Sequence, residues 1–249
     1  MFICGLLSFR IFSGKTLIGK AVAHETGATF FSISASSLTS KWIGEGERTV
    51  KTLFAVAVYR EPSVVFIDEV DSLLCQRSEG ENEATRRMKT EIFIQLDGAN
   101  TNADARVILI GATNRPDELD EAARRRFQKR IYIPLPDEEG RRQLFDSQLD
   151  NNAHSLTPDD ISEMVALTKG YSGADIRLLL TEAAMGPMRE MALRHGNNVT
   201  SIRASDIPSI CRRHFEDAME NVAPSVSQAD LLKYVEWNSI YGSSNRRKN

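Results

Sequence analysis

Short apolar runs recur through the first half of the chain and predict β-strands. Two of these runs, at 64–67 and 107–110, consist of four apolar residues in succession. Such runs suit parallel strands that are covered on both faces. Together with weaker runs, they give five candidate strands: residues 3–8, 29–34, 63–67, 107–112 and 130–133.

Apolar residues between the candidate strands recur at helical spacing. The clearest stripe falls at i, i+3, i+4, i+7 and i+8, which marks a helix that lies on a sheet. This stripe comprises Val50, Leu53, Phe54, Ala57 and Val58. Repeated alternation of strand and helix is typical of a doubly wound α/β domain, here with a five-stranded parallel sheet.

After Pro134 and Pro136 the strand pattern stops and only helical patterns follow. The predicted helices cover residues 138–149, 158–168, 172–194, 204–220 and 227–239. Their predicted N-caps are Asp137, Thr157, Ser172 and Ser227, and the predicted helix stops are Gly170 and Gly196. The sequence therefore predicts an α/β domain over 1–136 and a small all-helical domain over 137–249.

The composition of the chain indicates its cellular compartment more than its function. The 249 residues are 41% hydrophobic and 26% charged, as in an ordinary folded protein, and the net charge of −3 gives no general reason to expect nucleic acid as a partner. Cys4, Cys75 and Cys211 are too few and too far apart for a disulfide framework. The apolar opening MFICGLL is short and lacks the basic lead-in and small-residue cleavage site of a signal peptide, so we interpret it as a buried strand. We therefore expect the nucleus or cytoplasm and no membrane.

Two carboxylates, Asp68 and Glu69, directly follow the apolar run at 64–67. At the carboxyl end of a parallel strand, one carboxylate can order Mg²⁺ while the next polarises a water. The alternative is a capped strand followed by an acidic turn. Lys15 and Thr16, one strand–helix unit upstream, favour a nucleotide because they supply a cation and a hydroxyl that binds Mg²⁺.

Two further polar features follow the later strands. Asn114 comes just after the strand at 107–112, where an amide can position water beside a phosphate; the alternative is a turn residue before proline. The run Arg124-Arg125-Arg126 could neutralise transition-state charge in a neighbouring subunit. Taken alone, such a run is more often a solvated helix end.

These motifs, in this order, resemble those of the AAA+ ATPases, and the resemblance covers nearly the whole chain. Within that family the chain is most similar to the meiotic clade, the group of katanin, spastin, fidgetin and Vps4. The resemblance is carried by SKWIGEGE at 40–47, IDEVDSL at 67–73, GATNRP at 111–116, ARRRF at 123–127 and GYSGAD at 170–175.

The resemblance implies a P-loop NTPase sheet followed by a helical lid, with ATP and Mg²⁺ as cofactors. It assigns a catalytic role to four residues: Glu69 as the base that activates water, Asn114 as sensor 1, and Arg125 and Arg126 as arginine fingers. It also assigns nucleotide contacts to Gly14, Lys15, Thr16, Leu17, Asp68, Gly173 and Ala174. Among these, Thr16 and Asp68 are the implied Mg²⁺ ligands.

The resemblance further implies a homohexameric ring that pulls polypeptide through its pore, to sever microtubules by their tubulin tails or to dismantle recombinase filaments. Lys41, Trp42 and Ile43 match the first pore loop, whereas a buried tryptophan is the alternative. Residues 77–87 match the second pore loop and are equally compatible with a solvated loop. A DNA-acting replication factor is less favoured, because only a helical tail follows the lid, and no direct contact with nucleic acid is expected.

One segment departs from the family. Its phosphate loop reads G-P-P-G-T-G-K-T, whereas residues 9–16 read F-R-I-F-S-G-K-T, so Phe9 and Phe12 stand at two glycine positions. Glycine is needed where the loop adopts conformations that a β-carbon disfavours. The alternative is therefore a pseudo-ATPase, or a non-functional fragment, that keeps the fold and binds ATP poorly. The family also has an upstream segment, so we expect the N-terminal part of the first domain to be missing.

Overall fold

The computed structural model describes residues 3–8, 14–38, 45–75, 83–101, 106–150, 152–195 and 207–243. The chain divides into two compact units. The first combines Met1–Ile133 with Leu231–Asn249, and the second is Pro134–Asp230. Among the described helices, none is long and apolar enough to cross a membrane.

The first unit contains the predicted sheet. Five strands pair in the order β2-β3-β4-β1-β5, and every pair is parallel. Their carboxyl ends therefore share one edge, which is where ligands bind in open α/β sheets. The bounds are β1 (Ile3–Ser8), β2 (Thr29–Ser34), β3 (Ser63–Asp68), β4 (Val107–Thr113) and β5 (Lys129–Tyr132). The predicted five-stranded parallel sheet is confirmed.

Helices cover both faces of this sheet, as β3 shows. Val65 and Ile67 belong to the larger apolar cluster, whereas Val64 and Phe66 pack in a separate cluster on the other face. All four side chains are essentially inaccessible to water. The helices of this unit are α1 (Lys15–Glu25), α2 (Ala35–Leu38), α3 (Glu45–Tyr59), α4 (Asp71–Leu74), α5 (Glu83–Thr101) and α6 (Glu121–Arg126). The predicted apolar stripe lies on α3 and packs in the larger cluster, except for Val58, whose side chain is 39% exposed.

The second unit is helical and has its own apolar core, which includes Phe145, Ile176 and Phe215. Capping sets several helix starts, since the side chains of Thr157 and Ser172 each accept a hydrogen bond from the backbone N–H three residues on. Its helices are α7 (Glu138–Leu149), α8 (Pro158–Leu167), α9 (Gly173–Ala184), α10 (Gly186–His195) and α11 (Arg212–Asn221).

Two predicted helices of this unit are wrong in extent. The helix predicted over 172–194 is broken between α9 and α10, because Pro187 has no N–H to continue the ladder. The helix predicted over 204–220 begins only at Arg212. Ile210 forms a β-bridge with His154 and exchanges backbone hydrogen bonds with that segment, which holds the chain extended.

The last helix, α12 (Gln228–Tyr241), differs from the sequence expectation in its location. The prediction placed residues 137–249 in one helical domain, but from Leu231 onward the chain belongs to the first unit. The physical reason is Trp237, which is 6% exposed and packs in the larger apolar cluster of the sheet. The strand-bearing unit is therefore built from two separate stretches of sequence.

Candidate nucleotide site

The candidate site lies at the carboxyl edge of the sheet, where α1 begins. Gly14 precedes α1 with a φ of 78°, a left-handed conformation that glycine adopts without strain. The N–H of Ile18 donates to the carbonyl of Gly14, 2.9 Å away, as the first bond of the helix. Lys15 is 6% exposed, and its Nζ donates to Oδ1 of Asn114. The structure thus brings together two residues that are 99 positions apart in sequence.

Charges around Lys15 show which carboxylates share its surroundings. Burial lowers the pKa of the Lys15 ammonium below its ordinary value. Negative charges partly offset this effect, in the order Asp68, Asp71 and Glu69. A phosphate anion next to Lys15 would further favour the charged form, so the site is electrostatically suited to an anionic ligand.

Asp68 and Glu69 occupy a tight turn at the end of β3. The backbone N–H of Glu69 donates to Oδ1 of Asp68, 2.9 Å away. Glu69 has a φ of 53°, and it is the one non-glycine residue of the described chain with a positive φ. Its side chain is exposed, and Oε2 accepts from the hydroxyl of Ser34 at 3.4 Å. Strained backbone of this kind is concentrated at functional sites.

A second polar contact fixes the end of β4 and was not predicted from the sequence. The hydroxyl of Thr113 donates to Oδ1 of Asp71 at 2.6 Å and accepts from the backbone N–H of Arg115 at 2.9 Å. Thr113 is fully buried. Its hydrogen bond to Asp71 ties the residue before Asn114 to the first residue of α4. The only sequence signal for this contact was the nearness of Asp71 to the carboxylate pair.

The predicted Mg²⁺ ligands fit a nucleotide-borne ion. Thr16 and Asp68 supply a hydroxyl and a carboxylate, the hard oxygen donors that Mg²⁺ prefers, and phosphate oxygens complete such a set. Within the described ranges, no group of three or more His, Cys, Asp or Glu residues could hold a metal. The donor set therefore suits Mg²⁺ that arrives with a phosphate. It does not resemble a metal site built from protein ligands alone.

The predicted arginine fingers lie on α6. The hydrogen bonds that they donate go to residues other than Lys15 and the carboxylates around it. Arg125 is exposed and pairs with Glu121 at 2.6 Å. Arg126 is bidentate to Asp97 on α5, with N–O distances of 2.8 and 2.6 Å, and its guanidinium lies 4.5 Å from the ring centre of Phe93. Both arginines therefore have partners within their own chain, but the Arg125 side chain is 77% exposed, whereas that of Arg126 is 27% exposed.

Comparison with known proteins decides the family. The family model for ATPases associated with various cellular activities (AAA) matches residues 7–135, just over half of the chain. The chain belongs to the AAA family. The AAA+ lid model matches residues 159–217, and the model of the Vps4 C-terminal oligomerisation domain matches residues 198–242.

Relatives place this AAA chain in the fidgetin-like group. Fidgetin-like protein 1 of Caenorhabditis briggsae is 52% identical over 92% of this chain, and this chain spans only 38% of that protein. The crystal structure of the FIGL-1 AAA domain in complex with ADP is 48% identical with a TM-score of 0.88, over 97% of this chain and 78% of that one. A katanin self-assembly structure is 36% identical with a TM-score of 0.76, over 94% and 76% of the two chains.

The remaining predicted AAA positions are not tested by contacts. Gly173 and Ala174 begin α9 in the second unit, after the Ser172 cap, and their adenine contacts stay a prediction. Thr16 and Leu17 lie in the first turn of α1, with Leu17 63% exposed. The predicted pore loop (Lys41, Trp42 and Ile43), residues 9–13 and most of 77–87 lie outside the described residues.

The pair between Asp97 and Arg126 gives this AAA chain a testable pH dependence. Hydrogen bonds from Arg126 lower the pKa of the Asp97 carboxyl. A carboxyl with a lowered folded-state pKa stabilises the fold above its unfolded pKa, and this contribution is lost as the pH falls through the folded value. Asp97→Asn should therefore lower the free energy of unfolding at pH 7 by less than about 1 kcal/mol, because the pair is half exposed.

Urea unfolding at several pH values measures this effect. The stability difference between the natural chain and Asp97→Asn should shrink as the pH falls below about 4. Asp117→Asn, at an exposed aspartate of the same unit, is the matched control and should show no comparable difference at pH 7. A difference that persists unchanged at the most acidic pH would contradict the assignment to this ion pair.

Proposed function

We propose that this chain is the ATPase core of a fidgetin-like remodelling enzyme that hydrolyses Mg-ATP. The observation that carries the proposal is the convergence of Lys15, Asn114 and the carboxylates of Asp68 and Glu69 at the carboxyl edge of one parallel sheet. The FIGL-1 AAA domain, solved with ADP, supports the same ligand class for this chain.

In this proposal Lys15 and the first-turn amides of α1 bind the phosphates, because a helix N-terminus and an ammonium both favour anions. Thr16 and Asp68 would hold Mg²⁺, which supplies charge neutralisation on the phosphate oxygens. Asn114 orients the attacking water through its side-chain amide. Gly173 and Ala174 would contact the adenine.

Glu69 is the proposed general base. Its side chain is exposed, its backbone has a positive φ, and it directly follows Asp68, the last residue of β3. A base must reach the water that it deprotonates, so an exposed carboxylate at this edge suits the role. The hydroxyl of Ser34 donates a hydrogen bond to the Glu69 carboxylate and helps to orient it.

We further propose a homohexamer in which Arg125 and Arg126 act on the ATP of a neighbouring subunit. The match to the Vps4 oligomerisation domain and the likeness to the katanin self-assembly structure support an oligomer. Arg126 can take this role only if it leaves Asp97, with which it forms a bidentate ion pair. Arg125 has to leave only Glu121, in an exposed ion pair on its own helix. Arg125 is therefore the proposed first contact between subunits.

The proposed substrate is a polypeptide, such as a tubulin tail or a recombinase filament, drawn past Lys41, Trp42 and Ile43. The proposed location is the nucleus or cytoplasm. Sequence similarity to fidgetin-like proteins and to spastin supports this class of work. The chain spans about a third of the length of its fidgetin-like relatives.

Chelation tests the proposed chemistry. With saturating ATP and Mg²⁺, the chain should release phosphate at a rate that depends on protein concentration, and EDTA should reduce this rate to background because the ion neutralises phosphate charge. Added Mg²⁺ should restore the rate, which excludes damage to the protein. Phosphate release that EDTA does not change would contradict the proposed reaction.

A second candidate, a pseudo-ATPase, is favoured by Phe9 and Phe12 at the glycine positions of the phosphate loop. In this case the chain keeps the sheet and the oligomerisation match but binds ATP poorly. Phosphate release at saturating ATP separates the two candidates, because release that EDTA abolishes excludes the pseudo-ATPase.

A further inference from the structure

Helix α12 approaches the candidate site from outside the nucleotide-binding motifs. The hydroxyl of Tyr234 donates to the main-chain carbonyl of Asn114, 2.7 Å away. The Tyr234 ring stacks on Tyr132 of β5, with ring centres 6.4 Å apart and planes 19° apart. One side chain of α12 thus touches both the end of β5 and the peptide that follows β4.

The position of Tyr234 along α12 is fixed by contacts further along the helix. Trp237 is buried in the core of the sheet-bearing unit. Beyond the helix, the N–H of Ser243 donates to the carbonyl of Arg130 at 2.9 Å, and the N–H of Arg130 donates to Oγ of Ser243 at 2.7 Å. The guanidinium of Arg130 also donates to the carbonyl of Tyr241. Because the helix is held at these points, the Tyr234 hydroxyl is a fixed donor.

Asn114 and the residue before it are held at three points. Its side chain accepts from Lys15, and the preceding residue, Thr113, is bound to Asp71. Both of these contacts come from the nucleotide-binding motifs themselves. The third contact, from Tyr234, fixes the main chain of Asn114 while the side-chain amide faces the lysine.

We propose that Tyr234 is a positioning residue for ATP hydrolysis, whose hydroxyl holds the peptide of Asn114 so that its side-chain amide stays aligned at the site. The inference rests on the proposed ATPase function. A residue that aligns water acts mainly in the transition state, so its misplacement lowers kcat more than it raises KM. Loss of the hydroxyl leaves the ring and its stacking in place and removes one hydrogen bond.

Tyr234→Phe tests this role, with Tyr59→Phe as the matched control. Tyr59 is 83% exposed on α3, and the control deletes the same hydroxyl far from Asn114 in sequence. We expect kcat for ATP hydrolysis to fall about five- to tenfold in Tyr234→Phe, with KM for ATP changed by less than about twofold. In Tyr59→Phe both constants should match those of the natural chain.

Hydrogen exchange on the nucleotide-free protein provides a readout that does not depend on catalysis. The backbone N–H of Arg115 is bonded to Thr113 in the folded chain, so a looser peptide at Asn114 should exchange faster there. We expect faster exchange in the peptide that covers 112–118 in Tyr234→Phe and no such change in Tyr59→Phe.

Each outcome is decisive. Unchanged exchange at 112–118, or faster exchange with an unchanged kcat, would overturn the positioning role. A rise in KM with an unchanged kcat would instead assign Tyr234 to nucleotide binding and overturn the proposal. If the natural chain hydrolyses no ATP, the proposed function fails, and the exchange comparison still decides whether Tyr234 fixes the Asn114 peptide.

Discussion

Replacing Glu69 by Gln is expected to lower kcat for ATP hydrolysis by about 10²–10⁴-fold and to leave nucleotide binding almost unchanged. Glutamine has nearly the same shape and can accept the hydrogen bond from Ser34, but it cannot take a proton from water. Lys15, Thr16 and Asp68, which are proposed to bind the phosphates and Mg²⁺, are untouched by the substitution. The measurements are phosphate release under saturating ATP and equilibrium binding of a fluorescent ADP analogue.

Glu25→Gln is the matched control for this substitution. Glu25 is exposed at the end of α1 and carries no proposed role, so its replacement should leave both kcat and analogue binding unchanged. A Glu69→Gln chain that hydrolyses ATP at more than about a tenth of the natural rate would remove Glu69 from the role of base. Loss of analogue binding would instead make Glu69 a binding residue.

Restoring the family's phosphate loop is expected to strengthen ATP binding by at least about 30-fold. The change replaces residues 9–13, FRIFS, by GPPGT and keeps Gly14, Lys15 and Thr16. A bulky residue held in a conformation suited to glycine costs about 1–3 kcal/mol, and two such residues account for the expected factor. Isothermal titration with Mg-ATP measures the change in Kd.

A partial replacement isolates the two phenylalanines. The variant that changes only Arg10, Ile11 and Ser13 to Pro, Pro and Thr keeps Phe9 and Phe12, and it should bind ATP as weakly as the natural chain. Tight binding by the natural chain would show that residues 9–16 form a competent loop as they stand. Weak binding by the fully restored chain would exclude the two phenylalanines as the cause.

The sheet could be predicted from the sequence because its information is local. The two central strands contain unbroken apolar runs; 64–67 is fully buried, and within 107–110 Ile108 is partly exposed while the other three residues are buried. The caps at Asp137, Thr157 and Ser172 were predictable for the same reason, since an N-cap and its partner are three residues apart. One local signal was misinterpreted. The apolar periodicity over 172–194 predicted a single helix, although Pro187 in that stretch indicates the break between α9 and α10.

Contacts over long sequence distances could not be predicted in this way. No feature near Tyr234 indicates that its hydroxyl meets a carbonyl 120 residues earlier. The pairing of Arg126 with Asp97 could not be predicted either. The sequence of an arginine run does not indicate whether its side chains contact another helix, another subunit or solvent. The positive φ of Glu69 has no sequence signal either, since glutamate rarely adopts that conformation.

The return of α12 to the sheet affects the order in which the chain can fold during synthesis. The second unit is a continuous stretch, Pro134–Asp230, and its contacts are complete once that stretch has left the ribosome. The sheet-bearing unit lacks Trp237 and Tyr234 until the last helix emerges. The second unit can therefore fold before the first unit does. The first unit completes its fold later, although most of it is synthesised earlier.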